Sequence, residues 1–192
     1  MTAPRLTTPA LAMPRLALQP VGLRHCEELE RHFADWEIIR HLSVAVPWPY
    51  PAGGVRQFFE GDLLPRVAAG EAHAWALVPV ETLPAGGQAV GMLEWRCAPD
   101  ATDHRGFWIG RAWQGRGLMT EAVTAFQDWV FFEVGHPWLR LHSAARNVAS
   151  ARVKHRTGAR IVETVHLAHH EGVTETHRWE LTREAWAAAR GR

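Results

Sequence analysis

The stretch Gly106-Phe107-Trp108-Ile109-Gly110-Arg111-Ala112-Trp113-Gln114-Gly115-Arg116-Gly117-Leu118-Met119-Thr120-Glu121-Ala122 constrains this chain more than any other. Gly106 to Gly110 reads as a strand. A short loop with glycines at 115 and 117 then runs into a helix over 118–134, on which Met119, Ala122, Val123, Phe126 and Val130 share an apolar face. The first turn of such a helix has N–H groups without intrahelical acceptors and the positive end of the helix dipole. Glycines let a backbone approach a ligand with no Cβ in the way. The corner is therefore either an anion site suited to a phosphate or diphosphate, with Arg116 adding a cation, or a plain strand-to-helix turn. A dinucleotide fingerprint wants a third glycine where Thr120 stands, and a P-loop wants Gly-Lys-Ser/Thr, which is absent.

Periodicity orders the rest. Arg15 to Gln19 reads as a strand, stopped by Pro20 and Gly22. Leu23 to Leu42 carries Cys26, Leu29, Phe33 and Trp36 at helical spacing, with Asp35 as a break point. Pro47-Trp48-Pro49-Tyr50-Pro51 cannot be helical, because proline lacks the donor and restricts its predecessor. Val55 to Val67 is helical again. Period-two segments follow at Ala72 to Val80 and Gln88 to Ala98, with turns at Pro84 to Gly87 and Pro99 to Asp103. Beyond the long helix come a strand at Trp138 to Ala144, a helix at Ala149 to Thr157, a hairpin of Arg160 to Leu167 with Val173 to Leu181, and a short helix capped by Thr182. Strands in succession followed by helical crossovers predict an α+β domain with helices on both faces of the sheet. Residues 1–14, with three prolines and no periodicity, are expected as a flexible tail, and 15–192 as one domain.

Composition narrows the class. Twenty-one Lys and Arg against twenty Asp and Glu leave a charge of +1, which argues against a protein that clamps nucleic-acid phosphates. No apolar run approaches the roughly 20 residues needed to span a bilayer. Two cysteines, Cys26 and Cys97, form neither a disulfide framework nor a zinc motif, and are expected to be buried and inert. The expectation is a reduced, cytoplasmic enzyme or binding domain. The histidines from His166 to His170 lack a metal-ligand spacing, so no metal is expected.

Taken whole, the 106–122 segment resembles motif A of the GNAT acyltransferases, in the branch typified by the RimJ/RimL ribosomal-protein N-terminal acetyltransferases. Ala112 stands where that motif usually has Arg or Gln. Asn147-Val148-Ala149-Ser150 with Gly158-Ala159 is similar to the branch's Asn-x-x-Ser…Gly-Phe element, with Ala159 in place of Phe. Pro47 to Tyr50 looks like its proline-rich loop, and Leu181-Thr182-Arg183-Glu184-Ala185-Trp186 like its closing element. The resemblance spans about residues 14 to 187. It implies a mixed, mostly antiparallel central sheet of six to seven strands. It implies acetyl-CoA as cosubstrate, with Gln114, Gly115, Arg116, Gly117, Leu118 and Met119 at the diphosphate. The pantetheine arm would lie along Trp108 and Ile109 between splayed strands and bond to Asn147, with Ser150 near the sulfur. Asn147 is equally a helix N-cap, and Ser150 a first-turn polar residue.

The implied activity is N-acetylation of a primary amine, a protein N-terminus first and a small-molecule amine second, by direct attack in a ternary complex. The alternative is an acyl-CoA-binding sensor or pseudoenzyme of the same fold. An ammonium of pKa ~8 to 10 must lose a proton before attack. His104 stands where the family often has a carboxylate base, Glu94 is the second candidate and His142 the third. Lys154 occupies the place of the family's usual Tyr acid, which leaves Ser150 or water to protonate the thiolate. Trp36, Trp48 and Tyr50 are expected to wall the acceptor side, with His169, His170 and Glu171 nearby. The family's habits and the tryptophan content are compatible with a homodimer.

Overall fold

Ala72–Pro79 is apolar at every position except His73 and Pro79, and it folds as β3, buried along its whole length. A computed structural model of the chain describes residues 6–97 and 101–192. In it β3 is the centre of a five-stranded antiparallel sheet, ordered β1 (Leu11–Ala12), β2 (Leu16–Pro20), β3, β4 (Gly91–Arg96) and β5 (Arg105–Ile109). A second antiparallel sheet has the order β6 (Trp138–Ala144), β8 (Gly172–Thr182), β7 (Arg160–His169). The architecture is the expected mixed α+β fold. Among the described residues eight strands replace the predicted six to seven, because Leu11–Ala12 adds a short edge strand against β2.

Alternation along β3 divides the core. Trp75 and Leu77 point to one face, where they pack with Val123, Phe126 and Trp129 of the long helical segment. Ala74 and Ala76 point to the other, against Leu29, Val55, Phe59 and Leu63. The small residues face the side where helices approach closely, and the large ones fill the deeper layer. The first helical region is α1 (Cys26–Phe33) and α2 (Trp36–Ile39), split where Asp35 accepts from the N–H of Glu37. The second is α3 (Gly54–Phe58) and α4 (Leu64–Ala69), joined by a π-helical turn over Phe59–Leu63. The predicted 118–134 helix is α5 (Leu118–Asp128) extended by a π-helical turn over Trp129–Glu133. After β6 come α6 (Val148–Arg156), the β7–β8 hairpin, and α7 (Arg183–Ala189), capped by Thr182 as expected.

The expected tail is corrected over residues 6–14. The Trp75 indole donates to the carbonyl of Pro9 at 2.6 Å, and Thr8 Oγ1 meets His73 Nδ1 at 2.8 Å. Proline content misled here, because strand-edge backbone satisfied by side chains has no periodic signal. Met1–Arg5, Ala98 at the end of the predicted strand and Pro99–Asp100 of the predicted turn lie outside the described residues. Among the described residues no helix is long and apolar enough to cross a membrane.

Candidate active site

β5 pairs with β4 alone and β6 with β8 alone, so each strand turns an open edge toward the other. The two are pinned together at one end. The N–H of His104 donates to the carbonyl of Arg140 at 2.8 Å, and His104 Nδ1 accepts from the N–H of Arg140 at 2.9 Å. Asp103 Oδ1 accepts from the N–H of His142 at 3.3 Å. From this pin the strands diverge toward the glycine corner.

The corner is built as the glycine spacing demands. Gly115 and Gly117 sit at φ +75° and +79°, a left-handed conformation that side chains with a Cβ rarely adopt. A Cβ on Gly115 would meet nothing within 4 Å, so the loop stands open. Gly117 caps α5, and the first bond within the helix runs from the N–H of Glu121 to the carbonyl of Gly117. The N–H groups of Leu118, Met119 and Thr120 therefore have no acceptor within their own helix. Arg15 anchors the loop from below. Its Nη1 donates to the carbonyl of Arg116 at 2.8 Å, and its Nε donates to Glu121 at 2.7 Å. Gln114 Nε2 donates to the carbonyl of Ile109 at 3.1 Å, tying the loop to β5.

Beside β5, between it and α6, runs a cavity of about 670 Å³. One end is the corner, from Gln114 to Thr120, with Arg111 and Trp113. Phe107, Trp108 and Ile109 of β5 form one wall, and Asn147, Ala149, Ser150, Arg152, Val153 and Arg156 the other. Glu37, Ile38, His41 and Leu42 complete the lining. An open corner with uncommitted donors and a long cleft beside the β5 edge fit an elongated carrier with an anionic diphosphate.

At mid-cavity α6 supplies the polar groups. Asn147 caps the helix, its Oδ1 accepting from the N–H of Ser150 at 3.0 Å. Ser150 Oγ accepts from Lys154 Nζ at 2.6 Å. Lys154 is 3 % exposed, and its ammonium lies 5.3 Å from the centre of the Phe107 ring. Burial, then the nearby Arg105 guanidinium, push its pKa down to about 7, against an opposing pull from Asp103. Arg105 is itself buried; it donates to Gln127 Oε1 at 2.8 Å, and its Nε and Nη2 have no partner.

The cavity gathers Trp108, Ile109, Gln114, Gly115, Gly117, Leu118, Met119, Asn147 and Ser150 from the predicted site. Arg116 turns away from it, toward the Trp113 ring at 4.8 Å and Glu81 at 3.4 Å. Two base candidates are corrected. His104 has no exposed surface, spends Nδ1 on the strand pin, and packs against Trp138 at 4.8 Å. Glu94 is 5 % exposed and held by Arg66 at 2.7 Å and Arg96 at 3.4 Å. Neither lines the cavity. The third candidate, His142, does not line it either. The acceptor wall is also corrected. Tyr50 stands edge-on to Phe33 at 4.9 Å, and burial raises its hydroxyl to about 12. Trp36 packs on Trp48 at 5.2 Å, and neither ring lines the cavity. Their sequence neighbours Glu37, Ile38 and His41 do, because α2 turns that face inward.

His41 is the residue that pattern reading missed. Burial first, then Arg40 and Arg146, lower its pKa, opposed by Glu171 and Glu37, and its Nδ1 is buried without a partner. A lone histidine at a helix end carries no sequence signal. Glu171 holds this end together by pairing with Arg40 at 2.9 Å and with Arg146, which bridges α2 to the β7–β8 turn. The cysteines are free; burial pushes Cys26 up and Cys97 to about 12. Among the described residues no group of His, Cys, Asp and Glu is arranged to hold a metal ion.

Solved structures share this fold. An acetyltransferase of the GNAT family from Bacillus anthracis superposes with TM-score 0.74 at 13% identity, over 91% of this chain and 99% of its own. RimL, a ribosomal L7/L12 α-N-protein acetyltransferase solved with coenzyme A, gives 0.76 at 16%, over 92% and 99%. A GCN5-related N-acetyltransferase from Brucella melitensis gives 0.71 at 17%, over 98% and 85%. At such identities the likeness speaks for the fold. No curated protein matches the chain in sequence. The family model described as acetyltransferase (GNAT) domain matches residues 15–160, more than half of the chain, and with the glycine corner and diverging strands in place, this chain belongs to the GNAT acetyltransferases.

Proposed function

We propose that the chain transfers an acetyl group from acetyl-CoA to a primary amine, a protein N-terminal α-amine before a small-molecule amine, in the cytoplasm and without a covalent enzyme intermediate. One observation carries this reading: one cavity is lined by the open glycine corner, the β5 edge and Ser150, and by Glu37 of α2 with His41 just beyond that helix. The corner's free N–H groups take the diphosphate, and Asn147 with the open edge of β5 takes the pantetheine arm. Acetyl-CoA supplies the activated acyl group when bound. A β5 backbone N–H facing the cavity stabilises the oxyanion that forms on attack.

The acceptor enters at Glu37 and His41. A carboxylate beside an imidazole suits an incoming ammonium: Glu37 draws it in, and neutral His41 removes its proton. Raised thiol pKa values at Cys26 and Cys97 disfavour thiolate nucleophiles, which supports direct attack. The deciding experiment is calorimetry with acetyl-CoA followed by a thiol-release assay over peptides with free N-termini, polyamines and aminoglycosides. Binding with release on a peptide supports the reading. Tight binding with no release on any amine supports an acyl-CoA sensor instead.

A further inference from the structure

Lys154 is the only lysine in the chain; the other twenty of its 21 basic residues are arginines. It also sits in an unfavourable place for a cation. It is 3 % exposed, no carboxylate pairs with it, and the strongest charged influence on it is another buried cation, Arg105, ahead of the opposing Asp103. The effective cost of burying such an ion is several kcal/mol, and a methionine or leucine would fill the same volume without it. Arginine keeps its proton at any ordinary pH, whereas a buried lysine can give one up. The one titratable alkyl amine of the chain thus sits where a proton has somewhere to go.

That route is one residue long. Lys154 Nζ donates to Ser150 Oγ at 2.6 Å, so the serine's own hydrogen is left to point elsewhere, and Ser150 lines the cavity. Resting on the thioester reading above, we propose that Lys154 is the proton source for the departing thiolate, delivered through the Ser150 hydroxyl. The tetrahedral adduct collapses, the carbon–sulfur bond breaks, and its electron pair goes to sulfur. Ser150 gives its hydroxyl proton to sulfur and takes one from Lys154, which is left as the neutral amine. The proton lost by the attacking amine leaves by way of His41, and Lys154 is recharged from solvent between turnovers. Ser150 is the catalytic residue and Lys154 the positioning group behind it. The groups that face Lys154 set its balance: Arg105 on β5 disfavours the ammonium, Asp103 before β5 favours it, and His142 on β6 stands near. Burial and Arg105 bring the lysine to about 7, where half of it carries a transferable proton at neutral pH.

A single lysine makes the test direct. Protein labelled with [ε-¹³C]lysine gives one resonance, whose titration reports Lys154 alone. The expected midpoint is near 7, and saturating free CoA raises it by about one unit, because a thiolate beside the ammonium favours the charged form. Desulfo-CoA, which lacks the sulfur, leaves it in place. With acetyl-CoA and an accepted amine, Lys154→Met lowers kcat about 100-fold, keeps KM for acetyl-CoA within about twofold, and removes the fall of kcat above the lysine midpoint. Lys154→Arg keeps the cation and restores neither, which a structural role for the charge would not produce. A midpoint near 10.5, equal shifts with CoA and desulfo-CoA, a surviving alkaline limb in Lys154→Met, or acetylation of Lys154 itself by mass spectrometry overturns the relay. A chain that binds neither carrier overturns the CoA reading and the relay with it, whereas CoA binding to which the lysine is indifferent overturns the relay alone.

Discussion

Two histidines, one singled out by the sequence and one not, take opposite roles once placed. His104 is a strut: it accepts the Arg140 N–H inside a pocket of aromatic rings, and burial holds its pKa low. His104→Ala leaves that N–H without its acceptor and opens a cavity, so unfolding in urea is expected to show a loss of about 2–4 kcal/mol. The pH profile of the remaining activity keeps its shape, which a base role for His104 forbids. His41 is the working group. With its pKa lowered by burial, Arg40 and Arg146, it stays neutral at pH 7 and can accept a proton. His41→Gln is expected to cut kcat/KM at least tenfold at pH 7, with part of the loss recovered near pH 9, where the amine is already neutral. An equal loss at both pH values removes His41 from the base role. Burial distinguishes the two histidines, and no local pattern encodes it.

The elements that position the site follow rules a sequence can carry. Gly115 and Gly117 sit in left-handed backbone, so the glycine spacing and the strand-to-helix corner were legible together. Asp35 and Thr182 cap helices where short polar residues precede apolar stripes. Asn147 was legible as a cap too, and the cavity wall it forms adds the second role. The π-helical turns had no signature, because the steps of four through Val55, Phe59, Leu63 and Val67 are equally those of an α-helix. Lys154 was legible as a departure from its family, yet the partner that tunes it, Arg105, lies in another strand. Gly117→Val forces a β-branched residue to φ +79° and brings its Cβ to 3.5 Å from Arg15, which holds the loop. Calorimetry is expected to show CoA affinity weakened by at least tenfold with the fold retained, and an unchanged affinity would detach the corner from the diphosphate. Asn147→Ala is expected to cost about 1 kcal/mol of stability by losing the cap and, separately, to raise KM for acetyl-CoA.

At the scale of the molecule, the two sheets share one buried core and are hydrogen-bonded to each other at the His104–Arg140 pin. Around the pin, away from the cavity, His73, Trp95, Trp129, His104 and His136 pack in ring contact. Burial lowers the pKa of His73, His104 and His136, and takes His25 to about 4. The unfolded chain therefore binds more protons below about pH 6.5, so stability is full above that value and falls as the pH drops toward 4. Urea midpoints at pH 7 and 5 check this, with the lower midpoint expected at pH 5. Lys154→Met removes a buried charge with no anionic partner, and its melting temperature at pH 7 is expected to equal or exceed that of the parent chain. Everything functional depends on what occupies the cavity. A crystal structure with acetyl-CoA tests it most directly: the diphosphate oxygens should lie about 3 Å from N–H groups between Gly115 and Thr120, with the arm between β5 and β6. A carrier seated elsewhere, or a corner filled by side chains, would contradict the account.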